Sequence, residues 1–230
     1  VAHVFYLDLL GEVVAAYENL PDGSHLIVTT PRDEVAAVSR ALCAKQSATV
    51  IGVDNRGRDV APFLMLLGTG HLDAYDAVLK LHTKRSRHAH TGNLFRKCLF
   101  QTLAGSRSRV AAILARFADD TTGMISWPGA WRNKPDDWAA NQTRVSELLR
   151  RMDIAPPSDP AFFEGTMFWL RPRAIDRLRA LDIGTGEFEA EAEQIDGALH
   201  HAVERVFAPT VAAAGFAVRD PSGRLLLPRS

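Results

Sequence analysis

Short apolar, β-branched runs alternate with stretches of helical periodicity along most of the chain, and this alternation constrains the fold more than any other feature. His3–Leu7, His25–Thr29, Thr49–Val53, Ala77–Leu81, Gly123–Trp127 and Thr166–Leu170 read as strands. Leu9–Tyr17, Pro31–Cys43, Asp59–Leu67, Asn93–Leu103, Ser108–Phe117, Asp137–Arg150, Pro172–Leu181 and Gln194–Phe207 read as helices. Pro31 suits a first helical turn, where its missing N–H costs nothing. Pro21-Asp22-Gly23 marks a turn, and the Pro-rich stretch 156–160 a stiff loop. Strands alternating with helices predict an α/β fold: a mostly parallel sheet flanked by helices on both faces, with right-handed crossovers. No internal repeat or low-complexity tract interrupts the pattern, and the turn-rich 219–230 stretch is expected to form a loose tail.

Composition agrees with such a core. Hydrophobic residues make up 47% and charged residues 23% of the 230, which excludes a disordered chain. Cys43 and Cys98 are too few for a disulfide scaffold and read as core thiols. No apolar run approaches the roughly 18 residues of a spanning helix. The chain shows no secretory signal pattern, so a cytoplasmic setting is expected, and a first residue other than Met suggests a piece of a longer protein.

Charge is balanced, 27 basic residues against 27 acidic, but segregated. Residues 77–118 carry Lys and Arg with no Asp or Glu; residues 180–204 carry seven acidic residues with no Lys or Arg. The basic run can receive an anion such as phosphate, and the acidic run a metal, a sugar hydroxyl or the basic run itself. Both runs also read as solvated faces. Overall neutrality argues against nucleic acid as a partner.

Ligands of open α/β sheets bind beyond the carboxyl ends of strands. The third strand is followed by Asp54-Asn55-Arg56-Gly57-Arg58-Asp59, where Gly57 permits close backbone approach and the next helix offers free N–H groups to an anion. The same residues also read as a turn with Asp59 as helix cap. The fourth strand places Lys80, His82 and Lys84 on one face, where an anion such as a diphosphate offsets their burial unless the strand ends early. In the acidic run, Gln194, Gly197, His201, Glu204 and Arg205 share one side of the expected helix, with Asp196 and His200 on another stripe. No Gly-x-Ser-x-Gly elbow and no His-Glu-x-x-His metal motif is present.

Taken in order, His3-Val4-Phe5-Tyr6 with Asp8, the Asn55–Leu64 block, Lys80-Leu81-His82-Thr83-Lys84, Gly165–Trp169 with Arg171-Pro172, and Gln194-Ile195-Asp196-Gly197 with His201–Arg205 resemble the rhamnan synthesis protein F family of bacterial polysaccharide glycosyltransferases. The resemblance implies a GT-A-like α/β fold in one domain: a donor half over residues 1–120, an acceptor half over 121–218 and the tail. It implies transfer of rhamnose from dTDP-rhamnose to a rhamnan or O-antigen, with a polysaccharide or lipid-linked glycan as acceptor. Work at the inner face of the membrane, by peripheral association, goes with that. Many GT-A enzymes hold a divalent metal with Asp-x-Asp after the fourth strand. The comparable Leu81-His82-Thr83-Lys84 has no carboxylate, so no metal ligand is assigned.

Under that reading Arg58, Lys80, His82 and Lys84 meet the diphosphate, and Asn55 and Asp59 hold the sugar or nucleotide. The base that deprotonates the acceptor is expected to be Asp196, then Glu193, then His201, with Asp8 a weaker candidate. Gly165, Thr166, Trp169 and Gln194 shape the acceptor side, Trp169 by stacking on a sugar or else as core. Inverting displacement is expected by analogy. The competing readings are a catalytically inactive glycan-binding or scaffold domain of a longer synthase, and a nucleotidyl- or phosphotransferase, which needs a metal site that the sequence does not offer.

Overall fold

A computed structural model describes residues 1–45, 48–85, 92–192 and 196–229. In chain order its main elements are β1 (Ala2–His3), α1 (Leu10–Tyr17), β2 (Leu26–Pro31), α2 (Val35–Ala41), β3 (Ala48–Val53), α3 (Val60–Gly68), β4 (Val78–His82), α4 (Gly92–Ala104) and α5 (Arg107–Phe117). They continue with β5 (Thr122–Ile125), β6 (Trp131–Arg132), α6 (Gln142–Arg151), β7 (Phe162–Phe163), β8 (Phe168–Leu170), α7 (Asp176–Arg179), α8 (Leu199–Ala213), β9 (Ala217–Arg219) and β10 (Leu225–Leu227).

Eight strands form one sheet in the order β10-β9-β5-β8-β4-β1-β2-β3, and β6 pairs with β7 apart from it. The β4-β1-β2-β3 end is parallel throughout, as is β5 with β9. β8 runs antiparallel between β4 and β5. This α/β architecture, a mostly parallel sheet flanked by helices, is consistent with the GT-A-like expectation. Among the described residues no helix is long and apolar enough to cross a membrane.

The core explains the longest apolar runs. In α3, Val60, Ala61, Phe63, Leu64, Leu66 and Leu67 are all buried, which requires protein on every side of the helix. Phe63, Phe168 and Phe207 meet edge to face, with centroids 5.2–6.2 Å apart, and so lock α3, β8 and α8 together. Cys43 is exposed and Cys98 half-buried, so neither is the core thiol expected of it.

Several expected elements differ for local reasons. Pro31, expected to open a helix through Cys43, instead ends β2 opposite Val53, and after a tight turn over Arg32–Glu34 the α-helix covers only Val35–Ala41. β1 leaves the ladder after Val4, because the Phe5 and Tyr6 N–H groups both donate to Thr83 Oγ1, at 2.9 and 3.0 Å. The expected helix Asp137–Arg150 is broken at Ala139 (φ 47°, ψ −132°) and begins as an α-helix only at Gln142. Gly197 (φ +80°) lies outside helical geometry, so the last long helix begins at Leu199 rather than Gln194. The expected loose tail instead turns back through Asp220, whose carboxylate accepts from the Ser222 and Arg224 N–H groups, and pairs β10 with β9 at the sheet edge.

Candidate functional site

A cavity of about 730 Å³ opens beyond the carboxyl ends of the parallel strands. One wall comes from the exits of those strands: His3, Phe5 and Tyr6 after β1, Asn55, Arg58 and Asp59 after β3, and His82, Thr83 and Lys84 after β4. Because β8 is antiparallel, its amino end, carrying Gly165 and Thr166, arrives at the same edge. The far wall holds Arg132, Asp137, Ala139, Phe162, Glu191, Asp196, His200, His201, Glu204 and Arg205.

Backbone strain collects here. Of five non-glycine residues with positive φ among the described residues, Arg58 (54°), Ala139 (47°) and Thr166 (46°) line the cavity. A left-handed non-glycine costs on the order of 1–3 kcal/mol and persists only where its surroundings enforce it, which makes such residues markers of function. Gly57 and Gly165, each preceding one of them, are left-handed too. At Gly57 a Cβ would lie 2.6 Å from the Phe188 ring and from Ala61 Cβ, so the turn closes only on glycine.

Asp59 ties the two strained turns together. It stands at the start of α3 without capping it. Its carboxylate instead accepts from Lys80 Nζ and Thr166 Oγ1, and His82 Nδ1 lies 3.2 Å away. Burial pushes this carboxyl up, but His82 and Lys80 outweigh it and hold Asp59 well below its usual range. Burial pushes the His82 ring down, against the pull of Asp59. Lys80 is 1% exposed and also donates to Thr166 O at 2.9 Å, so it braces the site from inside the sheet. That corrects its expected role: Lys80 is not a cation presented to a diphosphate.

The expected charge segregation resolves into cross-links. Arg56 Nη1 donates to Phe188 O at 3.1 Å, and Arg58 pairs with Glu191 through two bonds of 3.2 Å, strapping the turn after β3 to the acidic run. The basic run pairs mainly with the first helix and its neighbours: Arg96 with Glu12, and Arg85 with Asp8. Asp8 is thus exposed and engaged. Lys84 reaches the cavity with no ion pair among the described residues.

On the far wall Asp196 precedes α8. Its Oδ2 accepts from Ala140 N at 2.9 Å and its Oδ1 from Asn141 Nδ2 at 2.5 Å, with Arg205 Nη2 3.7 Å away. Burial raises its pKa, but these donors and the Gly197 N–H outweigh burial and lower it. Asp196 is therefore a carboxylate held by several donors with its pKa lowered, which weakens it as the proton acceptor it was expected to be. His201 is pushed down to about 4, first by burial and then by His200 and Arg58. Trp169 is 3% exposed, and its indole N–H donates to Leu103 O at 3.0 Å on the side of α4. It belongs to the core and does not shape the cavity. Glu193 and Gln194 lie outside the described residues.

Glu204 was placed on the same helix side as His201 but given no role by its sequence context. It lines the cavity and accepts the Gly165 N–H at 2.7 Å. Burial raises its pKa to about 7, against the Gly165 N–H, Lys84 and Arg205, with Asp59 adding to the rise. Among the described residues no cluster of three or more His, Cys, Asp or Glu side chains is arranged to hold a metal ion.

A family model described as rhamnan synthesis protein F matches residues 1–216. Two relatives, each named "Uncharacterized protein WxcX" and found in Xanthomonas campestris pv. campestris strains ATCC 33913 and B100, are each 33% identical over 221 residues. The match covers 95% of this chain and 32% of each relative, so the chain spans about a third of the length of these relatives. No solved structure matches the chain significantly.

Proposed function

The chain belongs to the rhamnan synthesis protein F family, and from that premise we propose that the cavity is the site of a glycosyltransferase moving rhamnose from dTDP-rhamnose to a growing surface polysaccharide. The observation that carries this reading is the cavity itself. It is about 730 Å³, ample for a nucleotide sugar, and lies beyond the strand ends, lined by both cationic side chains and carboxylates. The strand-exit wall within residues 1–120 is the donor half; the wall from 121–218 is the acceptor half.

Transfer needs the leaving diphosphate stabilised, the sugar held and the acceptor hydroxyl deprotonated. Lys84 is a cation of the strand-exit wall with no ion pair among the described residues, Arg58 is a second, held by Glu191, and His82 lines the same wall. Asn55 sits exposed at the rim, within reach of a nucleotide or sugar hydroxyl. Phe5 and Tyr6, edge to face with centroids 5.1 Å apart, offer aromatic surface for a base. The strand that carries Asp-x-Asp in many GT-A enzymes ends here in His82-Thr83-Lys84, and the nearest carboxylate, Asp59, is committed to Lys80 and Thr166. These residues do not fit a divalent ion, and the proposed mechanism routes no step through one.

In the proposed displacement the acceptor oxygen attacks the anomeric carbon as the bond from that carbon to the phosphate oxygen breaks. The electron pair leaves with dTDP, the acceptor proton passes to a carboxylate of the far wall, and configuration inverts. Incubation with labelled dTDP-rhamnose and the lipid-linked glycans of a rhamnan-producing bacterium tests this. Label transferred to the glycan with equimolar dTDP release supports it. Nucleotide binding without transfer would favour an inactive glycan-binding or scaffold domain of a longer synthase.

A further inference from the structure

We propose that Glu204 is the general base of this reaction, its Oε2 taking the proton of the acceptor hydroxyl as that oxygen attacks the anomeric carbon. The assignment rests on the glycosyltransferase reading above and deepens it.

The carboxylates that face the cavity differ in what they hold and in how far they are buried. Asp59 is bonded to Lys80 and Thr166, and each Asp196 oxygen already accepts a hydrogen bond. Glu191 pairs with Arg58 through both oxygens, and Glu164 pairs with Arg132. Asp137 accepts the Lys134 N–H at 2.8 Å. Asp136 is exposed to solvent.

Asp137 and Glu164 also keep one oxygen unbonded among the described residues, but Glu204 differs from both in its burial: its side chain is 14% exposed, against 45% for Glu164, and the Asp137 bond is itself exposed. Glu204 Oε1 is fixed by the Gly165 N–H at 2.7 Å, on the strained turn beside Thr166. Its Oε2 has no hydrogen bond among the described residues, and Arg205 Nη1 stands off at 3.7 Å. One oxygen is thus anchored and the other open, the arrangement a general base requires. The charged groups around it are Lys84 after β4, Arg205 on α8 itself and Asp59 before α3, and burial among them brings its pKa to about 7. A base poised near the working pH is also the more effective proton acceptor.

The step balances without a co-reactant. The hydroxyl O–H breaks toward Glu204, the oxygen–carbon bond forms, and the carbon–phosphate-oxygen bond breaks with its electrons leaving on dTDP. The protonated Glu204 then returns its proton to solvent.

The test is Glu204→Gln, which keeps the oxygen that accepts from Gly165. Its melting temperature and its stabilisation by dTDP are measured first, then transfer rate against pH. The expected result is an unchanged shift with dTDP, a transfer rate lower by about 10²–10⁴-fold, and loss of the rising limb near pH 7 that wild type shows in kcat/KM. If Glu204→Gln does not fold, Glu204→Asp is used, with partial activity and a displaced limb expected. Wild-type transfer that either variant matches, with the same pH profile, overturns the base assignment alone. A wild-type chain that neither binds dTDP nor transfers sugar overturns the functional reading and the base assignment with it.

Discussion

The ammonium of Lys80 and the carboxylate of Asp59 meet within the sheet interior, where Lys80 is 1% exposed and its other bond goes to Thr166 O. Removing one member of such a pair strands the other charge. Asp59→Asn is therefore expected to cost about 3–5 kcal/mol at pH 7, read by urea denaturation. A loss under about 1 kcal/mol would show that Lys80 finds another partner or sheds its proton. The pH dependence follows from the depressed pKa of Asp59. Its contribution is fully present above the ordinary carboxylate value and is lost as pH falls below it toward the folded value. Wild type and Asp59→Asn should converge in strong acid.

Gly57 is fixed by space as well as by φ. Gly57→Ala places a Cβ 2.6 Å from Ala61 Cβ and from the Phe188 ring at φ +63°. Overpacking of that kind costs about 1–3 kcal/mol. Because Arg58 and Asp59 follow directly, the substitution is also expected to weaken nucleotide binding. Urea denaturation and a dTDP titration of the same variant check both; unchanged stability and unchanged affinity would contradict the tight turn.

Much of this was legible in the sequence. The Asp54–Asp59 turn and the Lys80–Lys84 segment both follow the carboxyl ends of strands expected to run parallel, and the cavity does collect Arg58, Asp59, His82 and Lys84. Direction was not legible. An apolar run such as Phe168–Leu170 carries the same pattern whether parallel or antiparallel, so the arrival of Gly165 and Thr166, expected on the acceptor side, opposite Asp59 could not be read from it. Side-chain alternation likewise placed Lys80 with His82 and Lys84 but could not reveal a carboxylate buried beside it. Glu204 escaped because its character is made by remote segments: Gly165, Lys84 and Asp59 surround a residue that, read locally, is one more charge on a helix. The start of α8 was misplaced because Gly197 was counted within a helix rather than before it.

Glu204 should also be visible in stability. Its folded pKa, about 7, lies above the ordinary carboxylate value, so the folded state holds a proton that the unfolded state has released. Between those values stability falls as pH rises, and the whole cost is present above about pH 7. Glu204→Gln removes that cost. It is expected to match wild type near pH 4 and exceed it by roughly 1–3 kcal/mol at pH 8. Denaturant midpoints at the two pH values decide; a variant no more stable at pH 8 would mean that Glu204 ionises freely.

Lys84 serves two ends in this account. As a cation on the donor wall, its loss in Lys84→Ala should weaken dTDP binding by about 10–100-fold, the worth of one charge-assisted hydrogen bond. As a charge that lowers the pKa of Glu204, its loss should also move the rising limb of the pH profile upward. Calorimetric titration reads the first effect and kcat/KM against pH the second. Unchanged dTDP affinity would remove Lys84 from the donor site.

The most direct test of the central claim is the melting temperature of the chain with dTDP, dTDP-rhamnose, UDP and GDP sugars, each with and without Mn²⁺ or Mg²⁺. A ligand at about 100 times its Kd adds about 2.7 kcal/mol, a shift easily measured. The account predicts selective stabilisation by dTDP and dTDP-rhamnose that does not depend on the metal. Stabilisation only with metal would contradict the cation-lined donor site, and no stabilisation by any nucleotide would contradict the claim that this cavity holds a nucleotide sugar.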